Sequence, residues 1–157
     1  HMDKVAKRTA EQVKSAKVEE VTDANGLKAV KVTFDSGILF ATNKAVLSQS
    51  SKNELAKFSQ VLKENRDCHV DIYGHTDNTG NDGINIPLSN NPAQRVVNYL
   101  ANCGVPRSQF QKVEGKGSSD PVASNATASG RQQNRRVEVY LYASKAMIDA
   151  ANNGTLK

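Results

Sequence analysis

Short strand patterns alternate with amphipathic helical patterns along this chain, and this alternation limits the folds open to it. In Lys28–Asp35, the apolar residues Val30, Val32 and Phe34 occupy every second position, which predicts a half-buried strand. The short apolar run Cys68–Tyr73 predicts a second, buried strand. Because helical patterns separate these strands, we expect a sheet covered by helices.

The other segments are assigned from periodicity and from capping or turn residues. Ser48 is a predicted N-cap for a helix ending at Glu64, and Ser89 for a helix ending near Asn102. The remaining predicted elements are a helix over Asp3–Lys17, a strand over Val18–Thr22, a hairpin turn at Asp23–Gly26, strands over Phe110–Glu114 and Arg136–Ala143, a loop over Gly115–Ser129, and a short terminal helix over Ser144–Ala151. These elements predict an α/β (α+β) two-layer sandwich, with a mixed four-stranded sheet and helices on one face.

A chain of 157 residues is long enough for one domain with extensions. We expect an N-terminal extension at 1–26, a main domain at 27–143 and a helical tail at 144–157. His1-Met2 is typical of an expression-vector remnant, so a natural signal or anchor could have been cut away. No segment approaches the roughly 18 apolar residues of a membrane span, so a link to a membrane would run through a part outside this sequence.

The net charge of +5 and the pI near 9.3 fit nucleic acid, anionic lipid, an acidic polymer or simply a solvated basic surface. Aromatic residues make up only 5% of the chain and tryptophan is absent. Because platforms that stack nucleic-acid bases need aromatic side chains on a basic face, we expect no nucleic-acid partner.

Catalysis and metal binding have little support in the sequence. His75 and Asp77 stand two residues apart, but no activated nucleophile accompanies them. His69 is the only other histidine beyond the terminal remnant, and Cys68 and Cys103 fit no zinc spacing. We therefore expect no enzyme activity, no metal and no cofactor. Each cysteine is predicted to be a small buried residue, although a disulfide between them stays open.

Two polar stretches stand out as candidates for ligand binding. Gly74–Gly80 follows the buried strand and contains the carboxylate of Asp77, while residues 125–138 contain Arg131, Arg135 and Arg136. Arginine recognises planar carboxylates in a bidentate manner, and a carboxylate can bind an ammonium group. Together the two stretches suggest a pocket for a ligand that carries both charges.

Each of these residues also has a structural interpretation. His75 could hydrogen-bond to loop backbone rather than contact a ligand. Asp77 could cap local N–H groups, although the polar residues around it favour ligand contact. Any one of the arginines could instead form a structural salt bridge to an acid such as Asp77 or Glu114, and neighbouring arginines on a strand point to opposite faces.

The spacing of these motifs resembles the OmpA-like C-terminal domain, a family that includes peptidoglycan-associated lipoprotein and the periplasmic part of MotB. The matching motifs are Gly74-His75-Thr76-Asp77-Asn78-Thr79-Gly80, Asn85-x-x-Leu88-Ser89, and Asn125-x-Thr127-x-x-Gly130-Arg131-x-x-Asn134-Arg135-Arg136-Val137-Glu138. The resemblance runs from about Lys28 to Tyr142. It implies a non-catalytic periplasmic domain that binds the peptidoglycan stem peptide, chiefly its diaminopimelate residue, and ties the outer membrane to the cell wall.

The resemblance also implies a set of ligand-binding residues. Asp77 corresponds to the aspartate that binds the ligand ammonium, and its supporting contacts correspond to Asn43, Thr79, Asn85 and Arg135. One departure concerns the arginine that the family carries after Leu-Ser, because Pro92 stands at that position here. Proline is tolerated in the first turn of a helix, so the fold is expected to survive.

Arg95 lies one turn beyond Pro92, and long helical side chains lean toward the N-terminus. It either replaces the missing guanidinium or is a solvated surface residue with weakened binding. The alternative to peptidoglycan binding is therefore a degenerate module used for protein–protein contact. An enzyme acting on wall peptides is a third hypothesis, disfavoured because no nucleophile or metal ligands are apparent.

Overall fold

The computed structural model describes residues 2–14, 16–22, 28–35, 47–66, 68–75, 93–117 and 121–143. Within these ranges, strands and helices alternate as the sequence predicts. The elements are α1 (Met2–Gln12), β1 (Lys17–Thr22), β2 (Lys28–Asp35), α2 (Gln49–Glu64), β3 (Cys68–His75), α3 (93–102), a 3-10 turn (Arg107–Gln109), β4 (Phe110–Gly115), α4 (Ala128–Asn134) and β5 (Arg136–Ala143).

The strands form one mixed sheet in the order β1-β2-β5-β3-β4. β5 lies at the centre and is antiparallel to both β2 and β3, whereas β3 and β4 are parallel. The predicted count of four strands is wrong, because β1 pairs with β2 along its whole length and adds a fifth strand. The predicted hairpin between these two strands is confirmed, but the first of them was assigned to the N-terminal extension and left out of the predicted sheet.

β2, β3 and β4 all finish at the same end of the sheet, which we call the carboxyl end. Asp35 and His75 both pair with Arg136, the first residue of β5, and Gly74 pairs with Gly115. The segments that follow these three strands therefore leave from one place. In sheets with parallel strands, this end is where binding loops usually gather.

All the helices with described core contacts pack on one face of the sheet, as predicted. One buried cluster contains Val5 of α1, Phe58 of α2, Val96 of α3 and Ile72 of β3. Burying such side chains contributes about 1.5–3 kcal/mol each. Ser48 is confirmed as the N-cap of α2, because its side chain accepts a hydrogen bond from the Ser51 N–H.

Two local predictions need correction. β3 continues for two residues beyond Tyr73, so Gly74 and His75 belong to the strand rather than to a loop. The predicted loop over Gly115–Ser129 also ends too late, since α4 begins at Ala128. A helix of seven residues has little room for a periodic pattern, which explains why it escaped the sequence analysis.

Both cysteines are free thiols; Cys68 is buried as expected, and Cys103 is partly exposed. The predicted turn at Asp23–Gly26, the N-cap Ser89 and the terminal helix over Ser144–Ala151 lie outside the described residues. None of the helices in the described ranges is long and apolar enough to cross a membrane.

We predict that α1 contributes to the stability of the whole domain. Val5 is 3% exposed in the shared core, so Val5→Ala should lower the free energy of unfolding by about 1–3 kcal/mol. Lys7 is exposed on the same helix, and Lys7→Ala should change it by less than about 0.5 kcal/mol. Urea unfolding followed by circular dichroism provides the measurement. Equal stabilities for the two variants would contradict a structural role for α1.

Candidate functional site

A buried group of charged residues lies at the carboxyl end of the sheet, on the face opposite the helices. Glu138 of β5 is 3% exposed and binds side chains from three strands. Its carboxylate lies 2.9 Å from His75 Nε2, accepts a 2.9 Å hydrogen bond from Arg136 Nε, and lies 3.2 Å from Lys31 Nζ. We call these four residues the Glu138 cluster.

The contacts in the Glu138 cluster keep its carboxylate ionised. Burial alone would raise the pKa of Glu138, but the hydrogen bonds from His75 and Arg136 outweigh burial and lower the pKa to about 2. Burial likewise acts to lower the pKa of Lys31, and the negative charge of Glu138 overcomes it and raises that pKa. An ionised carboxylate only accepts hydrogen bonds, so His75 carries its proton on Nε2.

His75 therefore has a different role from either one considered in the sequence analysis. Its side chain is held by a carboxylate on the neighbouring strand rather than by loop backbone. Its other ring nitrogen, Nδ1, is buried and has no hydrogen-bond partner among the described residues. Asp77 comes two residues later in the sequence, in residues 76–92, which follow β3 and which we call the Asp77 segment. The Glu138 cluster thus determines where the Asp77 segment begins.

The motif that begins at Asn125 forms α4 and leads into β5. Thr127 caps α4 by accepting a 2.9 Å hydrogen bond from the Gly130 N–H. Arg131 Nη1 donates to the Asn125 carbonyl oxygen at 2.9 Å. Gly130 packs so closely on the preceding segment that an added Cβ would lie 1.8 Å from the Ser124 carbonyl oxygen. These contacts hold the short helix against the segment that precedes it.

Asn134 holds the segment before α4 from the other side. Its side chain is fully buried, and its Oδ1 accepts hydrogen bonds from the Val122 and Ala123 N–H groups at 2.8 and 3.0 Å. Its Nδ2 donates to the Ala123 carbonyl oxygen at 3.0 Å and to Asn125 Oδ1 at 2.8 Å. All four hydrogen-bonding positions of the amide are used, so this asparagine is structural.

The arginines of this motif divide between structure and surface. Arg136 is 2% exposed and belongs to the Glu138 cluster. The structural salt bridge considered in the sequence analysis thus exists, and Glu138 is an acid in it. Arg135 is exposed at the end of α4, beside the carboxyl end of the sheet.

Arg95 is exposed on α3, whose buried residues face the sheet. Within the part of the chain that the structure describes, it takes part in no ion pair. Asp77, Asn43, Thr79, Asn85 and Pro92 lie outside the described residues. Asn43 belongs to the segment after β2, and the other four to the segment after β3, so both segments start at the carboxyl end. The described ranges hold no group of histidine, cysteine and carboxylate residues suited to a metal.

Sequence reasoning missed Glu138 and Lys31 as members of this region. A signal was present in β5, where Arg136 and Glu138 alternate with Val137 and Val139. Side chains two residues apart on a strand lie on the same face of the sheet, so these opposite charges are neighbours. Lys31 gives no comparable signal, because only the pairing of β2 with β5 brings it near.

We predict that Gly130 is required for packing rather than for flexibility. Alanine in a helix normally stabilises relative to glycine by about 0.5–1 kcal/mol. Here the Cβ would meet the Ser124 backbone, so Gly130→Ala should lower the free energy of unfolding by about 1–3 kcal/mol. Ser129→Ala, at an exposed neighbouring position, serves as the control. Chemical denaturation checks both, and a stabilised Gly130→Ala variant would refute the close contact.

The Glu138 cluster also predicts a specific acid sensitivity. Because the folded pKa of Glu138 is about 2, below its ordinary value of 4.5, its contribution is complete above pH 4.5 and declines as the pH falls toward 2. Glu138→Gln leaves buried cations without their counter-charge, so it should lower the free energy of unfolding by about 3–5 kcal/mol at neutral pH. The free energy of unfolding of this variant should also depend less on pH. Glu114, whose side chain is 49% exposed, provides the matched control Glu114→Gln, expected to cost less than about 1 kcal/mol. Thermal melts between pH 2 and 7 test this, and an unchanged profile in Glu138→Gln would rule it out.

The chain resembles curated proteins of bacterial envelopes. It is 42% identical over 111 residues to "Peptidoglycan-binding protein ArfA" of Mycobacterium tuberculosis, a match covering 71% of this chain and 34% of ArfA. It is 33% identical over 135 residues to "Probable lipoprotein YiaD" of Escherichia coli, covering 82% of this chain and 61% of YiaD. The chain thus spans less than two thirds of either relative.

Solved structures agree with the fold. The cell wall anchor of the type VI secretion system (T6SS) from Pseudomonas aeruginosa aligns with a TM-score of 0.72 and 27% identity, over 92% of this chain and 98% of that one. A MotB-like protein from Desulfovibrio vulgaris aligns with a TM-score of 0.74 and 22% identity, over 90% of each chain, and supports the fold alone. The OmpA family model matches residues 39–135, which is more than half of the chain. This chain therefore belongs to the OmpA family.

Proposed function

We propose that this chain binds peptidoglycan non-covalently through the peptide stem of the polymer. Support comes from relatives whose names include peptidoglycan-binding protein and cell wall anchor. The observation that carries the proposal is the Glu138 cluster, which fixes the start of the Asp77 segment at the end of the sheet where Arg135 is exposed. A carboxylate and a guanidinium near one another suit a zwitterionic ligand.

In this proposal the ligand is the diaminopimelate residue, which carries an ammonium group and carboxylates. Asp77 accepts hydrogen bonds from the ammonium. Asn43, Thr79 and Asn85 orient the peptide, and Arg135 binds a carboxylate. Charge-assisted hydrogen bonds of this kind contribute about 1.5–3 kcal/mol each.

Pro92 removes the guanidinium that the OmpA-like resemblance leads one to expect, and Arg95 is the residue we propose to replace it. Arg95 is exposed near the start of the described part of α3. Its side chain is long, and leans toward the segment that contains Pro92. No described acid pairs with it, so it needs to break no ion pair there in order to bind a ligand.

We further propose that the domain holds a periplasmic, outer-membrane-associated protein to the cell wall. The domain division into residues 1–26, 27–143 and 144–157 remains part of this proposal. A second candidate, protein–protein contact by a degenerate module that has lost wall binding, is favoured by Pro92 alone. Retention on purified cell walls separates the two.

Calorimetric titration with a diaminopimelate-containing tripeptide tests the ligand assignment. Asp77→Asn should weaken binding about 10- to 150-fold, because it removes the charge that holds the ammonium. Arg95→Ala should weaken it by at least about tenfold, and Pro92→Arg should tighten it. Lys7→Ala, at an exposed position of α1, should leave the affinity unchanged.

Each outcome has a defined meaning for the proposal. Unchanged affinity in Arg95→Ala would remove Arg95 from the site without affecting the role of Asp77. If the unaltered protein gives no heat with the peptide and is not retained on cell walls, the peptidoglycan proposal fails and the protein-contact candidate replaces it.

A further inference from the structure

The helices of the hydrophobic core pack on one face of the sheet, and the opposite face has an unusual composition. Three of the four tyrosines in the chain lie on it, namely Tyr73, Tyr140 and Tyr142, together with His69. Tyr73 and Tyr140 meet edge to face with ring centroids 5.8 Å apart, and His69 and Tyr142 do so at 5.7 Å. We call these four residues the aromatic band.

The aromatic band combines apolar ring surface with polar groups. Asp71 accepts hydrogen bonds from the hydroxyls of Tyr142 and Tyr73, at 3.0 and 3.4 Å. The Lys116 ammonium lies 4.9 Å from the Tyr73 ring centroid, and its side chain is 40% exposed. The Lys116 ammonium thus adds a positive charge beside the Tyr73 ring. Tyrosines presented in this way are typical of recognition surfaces.

A groove of about 440 Å³ lies beside the band, over β1, β2 and β5. This volume falls within the roughly 300–1,000 Å³ of small-ligand sites. Lys17, Glu19 and Lys31 lie along it on the strands, and Gln133 and Val122 border it from α4 and the preceding segment. Val122 is 53% exposed. Carboxylates, amines and an amide therefore line the groove, and the Lys31 ammonium at its wall lies 5.9 Å from the Tyr140 ring centroid.

Charges on this face balance one another. The described basic residues on it are Lys17, Lys31, Lys112, Lys116 and Arg136, and the acidic ones are Glu19, Asp35, Asp71, Glu114 and Glu138, five of each. Several are already paired, including Lys17 with Glu19 at 3.8 Å and Lys116 with Glu114 at 3.1 Å. A polyanion or polycation would meet as many like charges as opposite ones. An uncharged ligand rich in hydroxyl and amide groups meets donors, acceptors and rings without that penalty.

We propose that the groove and the aromatic band form a saccharide-binding surface for the glycan strand of peptidoglycan. This inference rests on the proposed function, because a glycan carries the peptide that the Asp77 segment would bind. His75, at the end of β3, lies on the same face as Tyr73 and directly precedes that segment in the chain. The polymer would thus be held twice, by its peptide at the carboxyl end and by its sugars across the sheet.

Nuclear magnetic resonance titration of the isotope-labelled full chain with chitotetraose, a neutral amino-sugar oligomer, tests the inference. We expect amide shifts concentrated at Lys31, Gln133 and Tyr140, with a Kd on the order of 1 mM. Tyr140→Leu should weaken saccharide binding about fivefold while leaving binding of the diaminopimelate tripeptide unchanged. Tyr99→Leu makes the same chemical change on α3, away from this face, and should alter neither.

A second variant keeps the test decisive if Tyr140→Leu does not fold. Val122→Asp changes an exposed residue at the border of the groove and should weaken saccharide binding about threefold. No shifts at about 20 mM chitotetraose, or equal losses in Tyr140→Leu and Tyr99→Leu, would overturn the inference. The inference would also be overturned if a periplasmic protein bound this face while saccharide caused no amide shifts there. Failure of the peptide titration alone would instead count against the proposed function.

Discussion

The burial of the Glu138 carboxylate is the constraint on which the candidate site depends. An ionised group inside a protein needs charged or hydrogen-bonding partners, and Glu138 takes them from three strands: Lys31 on β2, His75 on β3 and Arg136 on β5. If one of these partners were displaced, the buried charges left behind would be incompletely paired, which would destabilise the fold. The cluster therefore sets the relative positions of the strands where the binding segments begin.

The motif that first suggested ligand recognition turns out to serve largely for construction. Asn134, Gly130, Thr127 and Arg131 hold α4 and the segment before it, and Arg136 is buried in the Glu138 cluster. Only Arg135 of the arginine group is exposed beside the carboxyl end. Such a division is expected physically, because a ligand is bound tightly only by side chains whose surroundings are already ordered.

The domain presents two different surfaces because the helices that form its core pack on one face of the sheet. The helices supply the apolar core on one side, and the other side carries paired charges and tyrosines. Antiparallel sheets commonly leave one face in contact with water. In this chain that face lies next to the proposed peptide site, so a branched polymer of sugars and peptides could use both.

Local sequence patterns determined a large part of this structure. The alternation in β2 and the stripe and Ser48 cap of α2 specify those elements because neighbouring residues alone decide them. The motif spacing also identified the family, and it remains the sole basis for assigning Asp77, Asn43, Thr79 and Asn85 as ligand contacts. Tertiary structure alone decided that His75 ends a strand and that Lys31 meets Glu138. Those features arise from pairing between strands far apart in the chain, and periodicity within one segment carries no information about its partner.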